Sequence, residues 1–252
     1  MPRVRVISFD LWDTVFIDDS DEPKRRAQGL PPKPVARREL VHNYLSRHAP
    51  IERALVDCAY DTADAAFRDV WRNQHVTWTV AVRLGVLLKG LQRELPAAEF
   101  AELVRLHEDM ELAVRPDLVP GVAEAVRGLA AKYKLVVISD AIFSPGRALR
   151  ELLAGYGLLD AFSAFVFSDE AGCSKPDPIA FQKAAELAGC RLDEIVHIGD
   201  REHNDIAGPK GVGARAVLVT AAIDRGSAST AADAICRHYC ELEAIIQSLD
   251  AH

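Results

Sequence analysis

Cysteine is scarce in this 252-residue chain, and the few cysteines present are not spaced for a cross-link or a zinc site. The sequence holds an odd number of them, with no CxxC pair. Disulfide frameworks and structural zinc sites need paired cysteines at short, regular spacing, so the sequence predicts neither. The five residues are Cys58, Cys173, Cys190, Cys236 and Cys240.

Long apolar runs are also missing. No segment approaches the roughly 20 uninterrupted apolar residues that span a bilayer. The opening stretch, MPRVRVISFDLWDT, has an apolar run too short for a secretory signal and lacks a small-residue cleavage site. We therefore expect a cytoplasmic protein that does not bind membranes.

Positive charge is in deficit. Lys and Arg number 30 against 37 Asp and Glu, which gives a formal net charge of -7. This balance argues against a nonspecific nucleic-acid or anionic-membrane binder. A hydrophobic fraction of 49% and a charged fraction of 27% exclude disordered and collagenous classes, and the length allows one core domain that carries a smaller one.

Short apolar runs, typical of buried strands, alternate with helical patterns along most of the chain. This alternation predicts βαβ units, and therefore an α/β fold with a largely parallel sheet. The predicted strands are Val4 to Phe9, Lys134 to Ser139, Ala164 to Phe167, Ile195 to Gly199 and Ala214 to Val219.

About a hundred residues after the first strand carry no strand signal, which is too long for an ordinary connection. Their i, i+3, i+4 apolar stripes predict a small helical bundle inserted there. Residues 17–34, charged and rich in proline, are predicted to be a mobile linker, with Lys24, Arg25 and Arg26 on a solvated face. The predicted division is a core of residues 1–17 and 115–252 and a helical domain of residues 18–114.

Near the C-terminus, Cys236 and Cys240 lie one helical turn apart and are interpreted as small apolar side chains on a helix. That predicted helix packs on the sheet through Ile235, Tyr239, Leu242, Ile246 and Leu249.

Polar residues follow several predicted strands, where a parallel sheet places its ligand site. Asp10, Ser139 and Asp200 come at strand ends, Lys175 lies in the segment CSKPDP, and Asp205 follows Asp200. A carboxylate after a buried strand is costly unless a cation compensates it, and Lys175 and a bound Mg²⁺ would both do so. Each residue alone could be a cap or turn residue, but the ordered set favours a site.

The ordered set resembles the haloacid dehalogenase superfamily, in the variety with a helical cap between the first and second motifs. The quoted residues are the DLWDT segment with Asp10 and Thr14, then Ser139, then Lys175 in KPDP, and GD and ND with Asp200 and Asp205. The resemblance implies a Rossmann-like core with a smaller all-helical cap.

The resemblance also implies roles for individual residues. Asp10 is the nucleophile, which usually forms an aspartyl phosphate, and Lys175 compensates charge. Thr14 and Ser139 orient phosphoryl oxygens. Mg²⁺ is held by Asp10, the main-chain carbonyl of Trp12 and Asp200, with Asp205 beside it.

Trp12 departs from the family's phosphatases, which have a general acid, Asp, two residues after the nucleophile. A Trp cannot relay a proton, and general acid-base catalysis is worth typically 10²–10⁴-fold. The absence predicts a slow phosphatase, an acidic leaving group, a substitute acid or different chemistry. Asp13 is the nearest substitute, or else a turn residue.

Two other family reactions stay open. Members that cleave carbon–halogen bonds have an aromatic residue at the Trp12 position and need no metal, although they lack the acidic pair of Asp200 and Asp205. Phosphonoacetaldehyde hydrolysis would need a cap lysine for a Schiff base. Its candidates are Lys24, Lys33 and Lys89.

Weaker signals surround these residues. Asp140 either orients its loop or caps the next turn, and His197 is interpreted as a core histidine inside a strand. Trp71 is most simply a core residue of the helical bundle.

The combined prediction is a Mg²⁺-dependent phosphatase that acts on a small phosphate monoester. The alternatives are a metal-free 2-haloacid dehalogenase and a catalytically weak domain used for binding.

Overall fold

A six-stranded, all-parallel sheet forms the centre of the molecule, in the strand order β3-β2-β1-β4-β5-β6. The computed structural model describes residues 3–251; Met1, Pro2 and His252, which the predicted core includes, lie outside the described residues. The α/β, Rossmann-like prediction is confirmed. The strands are β1 Val6–Phe9, β2 Lys134–Ser139, β3 Ala164–Phe167, β4 Ile195–Gly199, β5 Arg215–Val219 and β6 Ala234–Cys236.

Helices cover both faces of this sheet, which is why its central strands are buried and mostly apolar. Every residue of β1 and β4 is buried. On one face Val126, Leu149 and Ile246 pack against the sheet, and on the other Phe181 and Ala184 do so. Helix α7 Val122–Ala130 ends the connection between β1 and β2, and the helices after β2 are α8 Gly146–Gly155, α9 Ser168–Ala171, α10 Pro178–Ala188, α11 Gly208–Gly211 and α12 Leu242–Asp250.

The long connection between β1 and β2 is helical, as the apolar stripes indicate. It contains α1 Glu22–Ala27, α2 Lys33–Ser46, α3 Arg53–Gln74, α4 Val80–Gly90, α5 Ala97–Glu108 and α6 Met110–Ala113. Helices α2 to α5 enclose an apolar cluster of their own, in which Leu45, Leu84 and Leu103 are almost fully buried. The domain limits at residues 18 and 114 stay a prediction.

The prediction of a mobile linker over residues 17–34 is wrong. Helix α1 lies inside this segment, and Asp21, Arg25 and Lys33 are all buried. Lys33 Nζ lies 2.7 Å from Asp21 Oδ1 and 3.3 Å from Glu111 Oε1. Arg25, expected on a solvated face, donates to the carbonyl of Pro31. The segment is ordered because its charges find partners, one of which lies far along the chain.

The C-terminal prediction needs a correction too. Ile235 and Cys236 belong to β6, which pairs with β5, and Tyr239 and Cys240 lie in a 3₁₀ turn, Tyr239–Glu241. Helix α12 begins only at Leu242. Cys236 is buried and Cys240 is exposed, so the two cysteines do not share a helix face.

None of the helices within residues 3–251 is both long enough and apolar enough to cross a bilayer.

Candidate active site

Three neighbouring strands bring the predicted site residues to one edge of the sheet. Asp10 directly follows β1, Ser139 ends β2, and Asp200 directly follows β4. Because β1 lies between β2 and β4, these residues come together at the carboxyl ends of adjacent parallel strands. The Asp10 amide donates to the carbonyl of Ile198 at 2.9 Å, which fixes the start of the Asp10 loop against β4.

Lys175 supplies the cation at this edge. Its Nζ lies 2.8 Å from Asp10 Oδ1 and 2.6 Å from Asp205 Oδ1, and all three side chains are almost fully buried. Burial alone would lower the pKa of Lys175, but attraction to Asp10, Asp205 and Asp140 outweighs burial and raises that pKa above its ordinary 10.5. Lys175 is therefore a permanent positive charge beside Asp10.

Asp205 is held by several donors besides Lys175. Its Oδ1 lies 3.2 Å from His197 Nε2, and its Oδ2 accepts from the Arg201 amide at 3.0 Å. A Cβ on Gly199 would stand 2.4 Å from Asp205 Cγ, so the close approach of this carboxylate requires glycine. Burial would raise the pKa of Asp205, but Lys175 and His197 outweigh burial and lower it.

His197 belongs to β4 and is buried, as the sequence indicates. Its Nδ1 lies 2.8 Å from Ser8 Oγ. An ionised Asp205 can only accept, so the bond to it needs a proton on Nε2, and a neutral ring then accepts from Ser8 through Nδ1. Burial lowers the pKa of His197 and so favours this neutral ring.

Asp200 is fully buried and only partly satisfied. Its Oδ2 accepts from Arg225 Nε at 2.6 Å, while its Oδ1 has no hydrogen-bond partner within residues 3–251. Burial, and then repulsion from Asp10 and Asp205, raises the pKa of Asp200 to about 7. The unpartnered oxygen is the kind of group that a bound cation satisfies.

The carboxylates of Asp10, Asp200 and Asp205 fit a small hard cation. One oxygen from each lies within 4.8 Å of the others. Carboxylate oxygens are the donors that Mg²⁺ prefers. Asp205 already accepts from three donors, which suits it to a place beside the ion, whereas Asp200 Oδ1 is free to contact it. The part assigned to the Trp12 carbonyl stays a prediction.

Thr14 and Ser139, the first in the loop after β1 and the second at the end of β2, carry buried hydroxyls. Neither Thr14 Oγ1 nor Ser139 Oγ has a hydrogen-bond partner among the described residues. Neither residue lines the cavity described next. Their donors are therefore uncommitted, and their predicted contact with phosphoryl oxygens stays a prediction.

A cavity of about 340 Å³ opens above Asp10 and Lys175. Trp12 forms one wall, and Trp71 of α3, interpreted from the sequence as a core residue, forms another. Asp140 also lines the cavity, and it accepts from the Lys175 amide and from Asn204 Nδ2. Burial raises the pKa of Asp140 to about 6, although Lys175 opposes the shift. Of the two sequence interpretations of Asp140, orienting a loop is the one that these contacts match.

Asp13 does not face this cavity. Its φ of 54° puts it in the left-handed region, which Asp tolerates in a turn. One carboxylate oxygen accepts from the Asp18 amide and the other from Arg225 Nη2 at 2.5 Å. Both carboxylate oxygens are occupied as acceptors away from the cavity, which matches the turn interpretation, and a role for Asp13 as substitute acid stays a prediction.

The candidate Schiff-base lysines differ in position. Lys24 donates to the Arg115 carbonyl and to Asp117, and Lys89 is exposed on α4. Lys33 does line the cavity, but Glu111 and Asp21 raise its pKa despite its burial. A Schiff-base lysine needs a neutral amine, so the surroundings of Lys33 oppose that role.

Sequence reasoning misses two features of the site. Arg225, in the loop after β5, bridges Asp200 and Asp13. Arg37 of α2 contacts Glu111 at 3.2 Å and stacks on the Phe143 ring at 3.5 Å from its centroid. No local pattern marks either arginine, because every partner is distant in sequence.

Comparison with known proteins identifies the family. The family model of haloacid dehalogenase-like hydrolases matches residues 4–213. This chain belongs to the haloacid dehalogenase-like hydrolases. It is an enzyme of the hydrolase class, and the superfamily resemblance of its motifs is confirmed.

Two relatives within this hydrolase family match most of the chain. The haloacid dehalogenase-like hydrolase domain-containing protein 3 of Homo sapiens is 27% identical over 227 residues, covering 86% of this chain and 82% of that protein. The glyceraldehyde 3-phosphate phosphatase of Pyrococcus furiosus is 27% identical over 219 residues, covering 86% and 81%.

The fold is shared more widely within the family. The 2-haloacid dehalogenase of Pseudomonas syringae pv. Tomato matches with a TM-score of 0.66 over 98% of this chain and 99% of that one, at 22% identity. Identity at this level shows a common fold and leaves the reaction to be argued from the site.

Proposed function

We propose that this hydrolase is a Mg²⁺-dependent phosphatase that cleaves a small phosphate monoester through an aspartyl phosphate on Asp10. The observation that carries the proposal is the buried acidic cluster of Asp10, Asp200 and Asp205, in which Asp200 Oδ1 has no partner. Like charges within one site are unfavourable without a cation. Lys175 contacts Asp10 and Asp205, and Arg225 contacts Asp200 Oδ2, which still leaves Asp200 Oδ1 without a partner among the described residues.

In the proposed reaction Asp10 is the nucleophile. An Asp10 oxygen forms a bond to phosphorus as the bond to the leaving alkoxide breaks, and water then cleaves the acyl phosphate to regenerate Asp10. Lys175, held 2.8 Å from Asp10, offsets the charge that gathers around the phosphoryl group. The unpartnered hydroxyls of Thr14 and Ser139 donate to phosphoryl oxygens.

Mg²⁺, held by Asp10, Asp200 and the Trp12 carbonyl with Asp205 beside it, would supply electrostatic stabilisation of the phosphoryl oxygens. Asp205 keeps Lys175 in place through their 2.6 Å contact.

Proton delivery to the leaving group is the weak step of this site. Trp12 carries no acid, and Asp13 is bound by Arg225. Leaving groups that need no proton, such as phenolates and carboxylates, should therefore be favoured over alkoxides.

Hydrolysis of an aryl phosphate with and without Mg²⁺ tests the proposal. Turnover should require Mg²⁺, should stop in excess chelator, and should fall to background in Asp10→Asn and Asp200→Ala. Asp177→Asn is a matched control, because Asp177 caps α10 and lines no part of the cavity. Undiminished turnover in chelator, or an active Asp10→Asn variant, would exclude the reaction.

Hydrolytic dehalogenation is the second candidate, because Trp12 lines the cavity beside Asp10. It predicts halide release from a 2-haloacid without metal. A domain used only for binding predicts neither activity. A small phosphorylated molecule as substrate, with no nucleic-acid or membrane partner, and a cytoplasmic location stay parts of the proposal; the oligomeric state is left open.

A further inference from the structure

A second cavity, about 390 Å³ in volume, adjoins the cavity above Asp10. The two share Trp71, Lys175, Arg201 and Asn204 as walls. We call the second cavity the basic vestibule. Its other lining residues are Arg72, His75, Pro176 and His203, and within residues 3–251 no carboxylate side chain lines it.

Two cations that line only the first cavity, Lys33 and Arg37, are already paired with carboxylates. Lys33 Nζ lies within 3.3 Å of carboxylates from Asp19, Asp21 and Glu111. Arg37 contacts Glu111. These side chains therefore offer little net positive charge to an anion that enters the first cavity.

The guanidinium groups of the arginines in the basic vestibule, unlike the side-chain cations of Lys33 and Arg37, have no carboxylate of the described residues within 3.3 Å. Arg72 is exposed and has no hydrogen bond or ion pair within the described part of the chain. Arg201 has only Asp200 Oδ2 near it, at 3.9 Å, and Arg225 already holds that oxygen at 2.6 Å. Positive charge is thus left uncompensated on one side of Lys175 in a protein that is acidic as a whole.

The wall between the two cavities also carries an unused donor. Trp71 Nε1 is buried and has no hydrogen-bond partner in the part of the chain that the structure describes. A buried indole N–H without an acceptor is unfavourable, and an oxygen of a bound molecule would satisfy it. Trp71 lines both cavities, so a ligand that extends from Lys175 into the basic vestibule would pass this N–H donor.

We propose that the basic vestibule is the subsite for a second anionic group of the substrate. The leaving group then carries a phosphate or a carboxylate that pairs with Arg72 and Arg201, while the reacting phosphate sits at Asp10 and Lys175. The inference deepens the proposed function and rests on it for the identity of the first group. Because Arg72 is exposed, its pairing with an anion should strengthen binding by about fivefold.

Equilibrium binding of phosphonates, which are not hydrolysed, tests the subsite without relying on turnover. The probes are alkane-1,ω-bisphosphonates of two to six carbons, alkylphosphonates of equal length, and ω-carboxyalkylphosphonates, titrated by calorimetry with Mg²⁺ present. At one or more lengths a probe with a second anionic group should bind about fivefold more tightly than its alkylphosphonate. For the bisphosphonates, the advantage must exceed twofold, because either end can bind.

The advantage should disappear in Arg72→Gln and persist in Arg68→Gln. Arg68 is the matched control, because it is exposed on α3 one turn before Arg72 and lines neither cavity. Affinity for the simple alkylphosphonates should be the same in both variants. The carboxylate and bisphosphonate arms show which anion the subsite prefers.

Three results would overturn the inference. If alkylphosphonates bind but no second anion improves affinity, the subsite is wrong and the proposed function stands. If the advantage is undiminished in Arg72→Gln, the second anion binds elsewhere. If no phosphonate binds at all, both the subsite and the phosphate-binding proposal fail.

Discussion

Replacing Lys175 with methionine should leave two buried carboxylates without their shared cation. Lys175 Nζ lies 2.8 Å from Asp10 Oδ1 and 2.6 Å from Asp205 Oδ1, and the exposed fractions of the three side chains are 2%, 8% and 0%. Methionine has a similar length and no charge, so the substitution removes the ion pairs and retains most of the packing.

The expected loss of stability follows from the two buried carboxylates that remain without a cation. At an effective dielectric constant of 20, each contact is worth about 6 kcal/mol of Coulomb attraction, most of which offsets the cost of burying the charges. Without Lys175, the desolvation of Asp10 and Asp205 persists and the attraction does not. Removing one partner of a buried ion pair costs about 3–5 kcal/mol, and we expect the free energy of unfolding to fall by that amount at pH 7.5.

The stability difference between wild type and Lys175→Met should depend on pH. In the variant, burial without the Lys175 cation should raise the folded-state pKa of Asp205 above the unfolded value of about 4. A carboxyl with a raised folded pKa stabilises the fold below the unfolded pKa, and that stability is lost as pH rises through the folded pKa. The difference between wild type and variant should therefore be smaller at pH 5 than at pH 7.5.

Urea unfolding followed by circular dichroism measures these differences. Lys183→Met is the matched control, since Lys183 Nζ donates only to the Ala171 carbonyl, and it should cost no more than about 1.5 kcal/mol. Excess Mg²⁺ should recover part of the Lys175→Met loss by supplying another cation. A loss below about 1 kcal/mol, or one equal at both pH values, would refute the charge-balance reasoning.

Three further outcomes test other parts of the structure. In Gly199→Ala the new Cβ would displace Asp205, so we expect aryl phosphate turnover to drop at least tenfold and the free energy of unfolding to fall by about 1–3 kcal/mol. Gly85→Ala is the control, because its new Cβ has nothing within 4 Å, and it should lower neither quantity. Equal effects of the two substitutions would contradict the close-approach argument. Trp12→Asp supplies the missing acid, so the ratio of kcat/KM for alkyl phosphates to kcat/KM for aryl phosphates should rise, by at most about 10²–10⁴-fold. An unchanged ratio in a folded, Mg²⁺-binding variant would mean that proton delivery does not limit the reaction. Burial lowers the pKa of His107 to about 4 in the folded chain, whereas the same imidazole in the unfolded chain takes up a proton below a pKa of about 6.5. The free energy of unfolding lost between pH 7 and pH 5 should therefore be about 2 kcal/mol greater in wild type than in His107→Gln. An equal loss in the two proteins, measured by urea unfolding, would contradict this.

The sheet was largely predictable because its strands are buried on both faces, and burial leaves continuous apolar runs in the sequence. The exception is β6. Ala234–Cys236 is only three residues long, and Ile235 happens to continue the helical spacing of Tyr239 and Leu242. A short edge strand carries too little pattern to compete with a longer helical one.

The site was predictable only where a strand end marks its residues. Asp10, Ser139 and Asp200 follow apolar runs, so their meeting point follows from the topology. Lys33 and Arg225 follow no such run. Their positions depend on ion pairs with Glu111 and Asp200, and no local pattern records a partner that is many residues away.

The placement of β1 at the centre of the sheet has a consequence for synthesis of the chain on the ribosome. Val6 pairs with Lys134 of β2 on one side and with Ile195 of β4 on the other. The strand that leads to Asp10 is therefore synthesised before both of its neighbours, and its second edge is paired only after β4 has been made. Until β4 emerges, β1 is an apolar strand with an unpaired edge, the kind of surface that nascent chains aggregate through. We therefore expect chaperone dependence to concentrate in nascent chains that do not yet include β4, and the Asp10 site to form only after β4 has been made.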